Sequence, residues 1–235
     1  ATSVMGFGYQ GLKINILDTP GHKDFAEDTY RTLTAADSVI VVIDVAKGVE
    51  AQTEKLVEVC KMRDTPIIVF INKLDRYGKD AFDLLDEVEQ KLGINVHPLS
   101  WPIGQGDDFQ GVYNIYEKGL NLFSSENKQH VSDVVSVNDI ESSELDDIVG
   151  SDAAGTLREE LELIETVYPE YTNEKYLEGK VSPVFFGSAL NNFGVQELLD
   201  CFVRIAPKPQ PKESDIREIS PYDEKFSGFV FKIHA

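Results

Sequence analysis

The chain has 235 residues with 41 acidic and 22 basic side chains, a formal net charge of −19 at pH 7, and is long enough for one well-packed domain or one domain with part of another. This acidic balance argues against DNA binding and against a module that binds nucleic acid through its overall charge. It does not exclude docking on a ribonucleoprotein through a local surface. No run of about 18 apolar residues and no charged-then-apolar leader occurs, so we expect neither a membrane span nor a secretory signal.

Stretches with strand-like and helical patterning alternate along the sequence. Residues 3–9 and 12–17 predict a hairpin across Gln10-Gly11. The run 38–44 is β-branched without a polar interruption, which is typical of a parallel strand buried on both faces. The other predicted strands are 67–71, 95–101 and 181–186, and the predicted helices are 24–36, 51–63, 80–92, 153–168 and 195–205. This alternation predicts an α/β fold with a doubly wound, mostly parallel sheet.

A first polar corner follows the run 12–17, with the sequence DTPGH at positions 18–22. A carboxylate at the end of a strand, such as Asp18, can hold Mg2+, usually through water. Gly21 allows a backbone N–H to approach a phosphate oxygen, and His22 lies directly beyond it. The alternative is an ordinary strand–turn–helix with a surface histidine, but the rarity of the whole pattern favours a phosphate site.

A second polar corner, NKLD at positions 72–75, follows the predicted strand 67–71. Asp75 can accept two hydrogen bonds from guanine, one from its ring N–H and one from its exocyclic amino group. Adenine offers no such pair, so this carboxylate discriminates between the two bases. The stem of Lys73 can lie over the base plane, and Asn72 can tie neighbouring loops together. A solvated polar turn is the alternative reading, which the DTPGH motif nearby disfavours.

A third corner, GSAL at positions 187–190, lies between the predicted strand 181–186 and the predicted helix 195–205. Its small residues let backbone N–H groups near Ala189 approach a carbonyl oxygen of a base. The tripeptide Gly-Ser-Ala is common, so the support for a site comes from its position after a buried strand.

Together the three corners resemble sequence motifs of translational GTPases. Four longer stretches are similar to the bacterial peptide chain release factor 3 family within that group, namely 27–35, 84–89, 101–104 and 183–190. Elongation factor G shares the three motifs but is less similar to the first of these stretches. The resemblance extends over nearly the whole chain.

For the phosphate side, the resemblance implies that Asp18 supports Mg2+ next to the γ-phosphate and that the N–H of Gly21 senses this phosphate. His22 would position the attacking water once ribosomal RNA orders it. The implied activity is GTP hydrolysis, with GTP or GDP and Mg2+ as cofactors. The implied partners are the ribosome and the class I release factors, which the GTP-bound factor removes after peptide release in the cytoplasm.

For the base side, the resemblance implies that Asn72, Lys73 and Asp75 select guanine. Ser188 and Ala189 would form the loop that meets the carbonyl oxygen of the base. Two alternatives stay open beside the release factor: a translocation GTPase like elongation factor G, and a truncated binding module without catalysis.

One motif of the family is not in the sequence. No G-x-x-x-x-G-K-[ST] pattern occurs, so the loop that cradles the phosphates is lacking. Residues 1–5 resemble the stretch just after a Mg2+-binding hydroxyl of the family, so we do not assign Thr2 or Ser3 as metal ligands. The sequence begins with Ala1 rather than Met, and we expect a fragment that starts inside the GTPase domain. This fragment should bind GTP weakly or not at all and should not hydrolyse it.

The resemblance and the remaining sequence together predict the domain organisation. The resemblance implies a GTPase domain at 1–206 with an insert at roughly 105–178, and the first strand of a following β-barrel domain at 226–235. The alternate prolines after Pro207 predict a stiff linker at 207–225. Within the insert, 112–116 and 119–123 predict a hairpin, and 129–151 predicts an exposed polar excursion. The insert would either touch a partner or be a tolerated surface elaboration, and we favour the second.

The two cysteines, Cys60 and Cys201, are 141 positions apart (201 − 60) and form no metal or redox spacing. We therefore expect both to be reduced core residues of a cytosolic protein.

Overall fold

The computed structural model describes residues 3–19, 26–123, 134–136 and 139–231, with the backbone alone described for 26–28 and 134–136. The strands are β1 (Ser3–Tyr9), β2 (Leu12–Asp18), β3 (Val39–Asp44), β4 (Ile67–Asn72), β5 (Val96–Pro98), β6 (Ser100–Ile103), β7 (Gly111–Asn114), β8 (Gly119–Leu122), β9 (Val134–Ser136), β10 (Ser182–Phe186), β11 (Lys212–Glu213) and β12 (Glu218–Ile219). The helices are α1 (Ala26–Leu33), α2 (Ala51–Met62), α3 (Ala81–Leu92), α4 (Ser143–Val149), α5 (Ser151–Val167), α6 (Asn173–Leu177) and α7 (Val195–Ile205).

A four-stranded parallel sheet with the order β3-β4-β10-β5 forms the centre of the molecule. Every residue of β10 is buried, and so is every residue of β4 except Asn72 at its end. One apolar cluster joins α2 and α3 to one face of the sheet, and a second joins α7 to the other face. Helices on both faces confirm the predicted α/β fold with a doubly wound, mostly parallel sheet.

Strand β3 differs from its prediction because only one of its faces is covered. Val41 and Ile43 are buried, whereas Ile40 and Val42 between them are exposed. Successive side chains of a strand point to opposite faces. Among the described residues β3 pairs with β4 alone and is an edge of the sheet, so the prediction of burial on both faces is wrong.

The predicted strand 95–101 is divided between two sheets. The segment before Leu99 pairs in parallel with β10, and the segment after it pairs antiparallel with β7 in a second sheet of order β6-β7-β8-β9. Leu99 joins the two, because its N–H donates to the carbonyl of Val184 and its own carbonyl accepts from the N–H of Ile115. The predicted hairpin in the insert is confirmed by the pairing of β7 with β8.

The predicted excursion 129–151 is partly a packed helix. Residues 129–133 and 137–138 of it lie outside the described residues, but α4 places Leu145 and Val149 in the core beside α5. The guanidinium of Arg158 on α5 donates hydrogen bonds to the carbonyl oxygens of Ile140 and Ser142 and to the Asp146 carboxylate. An exposed excursion is therefore the wrong prediction for α4.

The hairpin of β1 and β2 and the C-terminal segment lie apart from the two large sheets. Positive φ angles at Gln10 and Gly11 make the tight turn of the hairpin, which confirms its prediction. β11 and β12 form a small ladder within the predicted linker. Residues 226–231 form no strand, although the sequence predicts one at 226–235, and residues 232–235 lie outside the described part of the chain. The β-barrel domain and the domain boundaries stay predictions. No helix in the described ranges is long and apolar enough to cross a bilayer.

Candidate functional site

The carboxyl ends of β4 and β10 lie side by side and bring two of the predicted corners together. The N–H of Gly187 donates to the carbonyl of Ile71 at 2.9 Å, and the N–H of Leu74 donates to the carbonyl of Gly187 at 3.2 Å. A Cβ atom on Gly187 would lie 2.4 Å from the carbonyl oxygen of Phe193. The glycine of the third corner is therefore required by the close approach of two backbone segments.

Asn72 ties the two corners to each other through its side chain. Its Oδ1 accepts hydrogen bonds from the backbone N–H of Lys73 at 2.8 Å and from that of Ala189 at 2.9 Å. The sequence suggested this tying role for Asn72. It did not suggest that the hydrogen bond would be donated by the backbone N–H of Ala189.

Asp75 is oriented by a serine from the third corner. The hydroxyl of Ser188, which is fully buried, donates to Oδ1 of Asp75 and accepts a hydrogen bond from Nδ2 of Asn191 at 2.9 Å. Among the described residues no hydrogen bond reaches the other oxygen of Asp75. A half-buried carboxylate held in this way presents acceptors and no donor, which fits the two N–H groups on the edge of guanine.

Lys73 has a left-handed backbone with φ 72°, and its Nζ lies 2.6 Å from Oδ2 of Asp44 at the end of β3. Burial by itself would raise the pKa of Asp44. Hydrogen bonds from Lys73 and from the backbone N–H groups of Ala46 and Lys47 outweigh that effect and lower the pKa.

Sequence reasoning missed Asp44, although a signal was available. The strand run 38–44 ends in this carboxylate just as the run 67–71 leads into Asn72. Asp44 and Asn72 are direct partners in the parallel ladder between β3 and β4, so the same sheet edge carries both side chains.

The first corner is not joined to the other two in the described part of the chain. Asp18 is exposed at the end of β2, in a two-stranded sheet separate from the parallel one. The hairpin reaches the body at its tip, where Tyr9 and Gln10 both donate to Oδ1 of Asp200. Gly21 and His22 lie outside the described residues, so the roles of the first corner stay predictions.

The expected Mg2+ site is likewise a prediction. Within the described ranges no group of three or more His, Cys, Asp or Glu side chains has an arrangement that holds a metal ion. The expectation for the cysteines is confirmed in one respect: Cys60 and Cys201 are free and buried. Burial raises the pKa of the Cys60 thiol to about 11 and that of Cys201 to about 12, so both thiols are unreactive at neutral pH.

Comparison with known proteins assigns the class. Residues 1–208 match the family model "Elongation factor Tu GTP binding domain". The chain therefore belongs to the elongation factor Tu GTP-binding domain family, whose members bind guanine nucleotide, typically with Mg2+, and hydrolyse GTP.

A solved structure with the same fold is the crystal structure of ttk003000868 from Thermus thermophilus, with a TM-score of 0.67 and 24% sequence identity. The match covers 89% of this chain and 32% of that chain. At this level of identity the likeness shows the fold alone. The chain spans about a third of the length of that structure.

Proposed function

We propose that this chain is the guanine-nucleotide-binding part of a translational GTPase that acts on the ribosome. The observation that carries the proposal is the joined corner of Asn72, Asp75, Ser188 and Ala189. Two loops that are 113 positions apart in sequence (188 − 75) meet through side-chain hydrogen bonds, and the result is an oriented carboxylate at the carboxyl edge of a parallel sheet. Open α/β sheets hold their ligands at this edge.

On the base side, each residue has a distinct task. Asp75 accepts the two N–H donors of guanine, Ser188 orients its carboxylate, and Asn72 holds the Ala189 loop in place. The Nζ of Lys73 pairs with Asp44 at the end of β3, and the aliphatic stem of Lys73 is assigned to cover one face of the base.

On the phosphate side, the proposal assigns Asp18 to Mg2+, Gly21 to the γ-phosphate and His22 to the attacking water. Mg2+ supplies charge neutralisation on the phosphates when it is bound. Phosphoryl transfer depends on positioning and charge stabilisation more than on covalent chemistry, so a water-orienting histidine that ribosomal RNA orders is a sufficient switch.

Within the translational GTPases we propose the release factor 3 type, which removes class I release factors from the ribosome in the cytoplasm. The support is the resemblance of the stretches 27–35, 84–89, 101–104 and 183–190. A translocation GTPase like elongation factor G is the second candidate in the same enzyme class, and a binding module without catalysis is the third.

The nucleotide proposal is tested by binding of fluorescent GDP to the chain and to a version extended by a phosphate-binding loop. The chain has no G-x-x-x-x-G-K-[ST] motif, so we expect tight binding only in the extended version. Unlabelled GDP should displace the probe and ADP should not. Equal binding by both versions would contradict the account of how the phosphates are held, and displacement by ADP would contradict the base site.

The base site has a sharper test in the extended version with Asp75→Asn. The amide replaces an acceptor by a donor, so affinity for GDP should fall by at least about tenfold, the loss of one charged hydrogen bond. Xanthosine diphosphate, which has a carbonyl where guanine has its amino group, should gain in relative affinity. Asp83→Asn, a matched change at an exposed carboxylate on α3, should leave both affinities unchanged.

The release-factor proposal is tested with the full-length protein on terminated ribosomes. Addition of the protein and GTP should release a bound class I release factor. Movement of messenger and transfer RNA without release of the factor would favour the elongation factor G type. Failure of both, with GDP still bound, would favour the binding module.

A further inference from the structure

Asn191 lies in the loop after β10, beside the pair of Ser188 and Asp75. It ends a single 3-10 turn, Ala189–Asn191, which begins directly after Ser188. The N–H of Asn191 donates to the carbonyl of Ser188 at 3.1 Å, and Ser188 and Phe193 exchange two backbone hydrogen bonds of 3.0 Å that close the loop. Side chains three residues apart in such a turn lie above one another. The loop therefore holds the side chain of Asn191 next to that of Ser188.

The side chains of Asn191, Ser188 and Asp75 form a series of two hydrogen bonds. Nδ2 of Asn191 donates to Oγ of Ser188 at 2.9 Å, and Oγ of Ser188 donates to Oδ1 of Asp75. Asn191 and Asp75 are half-buried, whereas Ser188 has no exposed surface. Water therefore does not reach the hydroxyl, and protein groups supply its hydrogen-bond partners.

The number of protons available fixes the direction of both hydrogen bonds. A carboxylate oxygen can only accept, so the one proton of the Ser188 hydroxyl lies between Oγ and Oδ1 of Asp75. With that proton used, Oγ can only accept from Asn191, which must turn its NH2 group towards the serine. Asn191 thus occupies a lone pair of Oγ with a donor and leaves the hydroxyl proton to Asp75.

We propose that Asn191 is a positioning residue for guanine selectivity, which acts through Ser188 on Asp75. This inference rests on the function proposed above, in which Asp75 accepts two N–H groups of guanine. The bond from Ser188 uses one lone pair of Oδ1 and fixes the plane of the carboxylate. Oδ2 and the second lone pair of Oδ1 then remain for the base. A carboxylate that rotates freely presents these acceptors in the plane of the base for only part of the time.

Asn191→Asp tests this role because it replaces the donor by an acceptor with little change of shape. Two carboxylates then compete for the single proton of Ser188, and Asp75 loses its orienting hydrogen bond for part of the time. Asn192→Asp is the matched control, because it introduces the same charge one residue further along, at an exposed position. Asn192 has a left-handed backbone with φ 57°, which Asp tolerates.

The first measurement uses the chain itself and needs no nucleotide. In the carbon-13-labelled chain at pH 7, the NMR signal of the Asp75 carboxyl carbon should move in Ser188→Ala, which removes the hydroxyl. It should move in the same direction in Asn191→Asp and stay in place in Asn192→Asp. An Asp75 signal that Asn191→Asp leaves in place, or that both Asn variants move equally, would overturn the proposal whether or not the chain binds GDP.

The second measurement compares the affinities for GDP and for inosine diphosphate, whose base lacks the exocyclic amino group, in the version extended by a phosphate-binding loop. The ratio of the two affinities should fall about fivefold in Asn191→Asp, a value typical of one weakened hydrogen bond. It should stay unchanged in Asn192→Asp. An unchanged ratio in Asn191→Asp, with circular dichroism showing the native fold, would overturn the proposal.

A double-mutant cycle separates an action through Ser188 from a direct contact of Asn191 with the base. In the Ser188→Ala background, Asn191→Asp should change the ratio no further, because the connection to Asp75 is already lost. Equal effects of Asn191→Asp with and without Ser188 would overturn the proposal and leave the base site intact. A ratio that stays unchanged even in Asp75→Asn would overturn the base site and the proposal with it.

Discussion

At the scale of single residues, the joined corner of Asn72, Asp75, Ser188 and Ala189 depends on close backbone approach as much as on its polar side chains. Gly187 lies between β4 and the loop that leads into α7, and its Cβ position is occupied by the carbonyl of Phe193 and the ring of Phe70. Ser188 and Asn72 then reach across between the loops. A side chain at Gly187 would push apart the segments that hold Asp75.

We predict that Gly187→Ala lowers the free energy of unfolding by about 2 kcal/mol or more, because the new methyl group lies 2.4 Å from a carbonyl oxygen. Gly155→Ala is the matched control. Gly155 lies within α5, and a Cβ there meets no atom within 4 Å, so this change should stabilise by about 0.5–1 kcal/mol. Urea unfolding measures both, and equal effects of the two changes would contradict the packing described for Gly187.

A second prediction concerns Glu87 on α3. Burial would raise the pKa of this carboxyl, but hydrogen bonds from Lys79 and Lys91 outweigh it and lower the pKa to about 2. The folded-state value lies below that of the unfolded chain, so the stabilisation is present above about pH 4.5 and is lost as the pH falls towards 2. Glu87→Gln should therefore cost about 1 kcal/mol at pH 7 and little at pH 2.

Urea unfolding of the parent chain and of Glu87→Gln at several pH values measures this difference. Glu162→Gln, at an exposed glutamate of α5, should follow the parent chain at every pH. A difference between the parent and Glu87→Gln that stays constant from pH 7 to pH 2 would rule out the pKa shift as its cause.

At the scale of elements, α5 connects the second sheet with α4. Trp101 of β6 is buried and its indole N–H donates to Oε2 of Glu160 at 2.7 Å. Arg158, two residues before Glu160 on the same helix, donates hydrogen bonds to Asp146 of α4 and to the carbonyl oxygens of Ile140 and Ser142, which precede α4. One helix thus connects the second sheet on one side with α4 on the other.

We predict that Arg158→Lys loosens α4 without unfolding the parallel sheet. Lysine keeps the charge but loses the planar fork that reaches Ile140, Ser142 and Asp146 at once. Hydrogen exchange should become faster in α4 and stay unchanged in β4 and β10. Arg217→Lys, at an exposed pair with Asp223, is the matched control, and faster exchange in α4 from that change would contradict a local role of Arg158.

At the scale of the whole molecule, the hairpin of β1 and β2 stands out because its described side chains are mostly exposed. Its tip contacts α7 through two hydrogen bonds to Asp200. The hydrogen bond to Asp200 and, to a smaller extent, burial raise the pKa of Tyr9 to about 12. The phenol therefore stays protonated and can donate across the neutral pH range. This contact connects α7 with the tip of the hairpin, whose second strand ends at Asp18.

We predict that Tyr9→Phe frees the tip of the hairpin and leaves the core unchanged. Loss of one hydrogen bond to a carboxylate costs about 1 kcal/mol, so amide exchange in the hairpin should rise about fivefold. Exchange in β4 should not change. Tyr222→Phe, at an exposed tyrosine, is the control, and an unchanged hairpin in Tyr9→Phe would show that the contact with Asp200 contributes nothing.

Much of the fold could be predicted because the local pattern of the sequence decides helix against strand. The helix predicted at 195–205 has the bounds observed for α7, and the hairpin across Gln10-Gly11 has the bounds of β1 and nearly those of β2. Apolar side chains at three- and four-residue spacings indicate the buried face of a helix, and apolar side chains at alternate positions indicate the buried face of a strand. The corners at 72–75 and 187–190 were found in the same local way, from polar residues directly after strands.

The sequence by itself therefore determined most of the longer elements, the fold class and the two polar corners at 72–75 and 187–190. Only the tertiary structure decided which sheet each strand joins and which polar groups meet. Leu99 divides one apolar run between two sheets because Val184 and Ile115, far away in sequence, supply its hydrogen-bond partners. Asp44 meets Lys73 because β3 and β4 pair in register. These outcomes depend on long-range pairing, and no window of neighbouring residues contains that information.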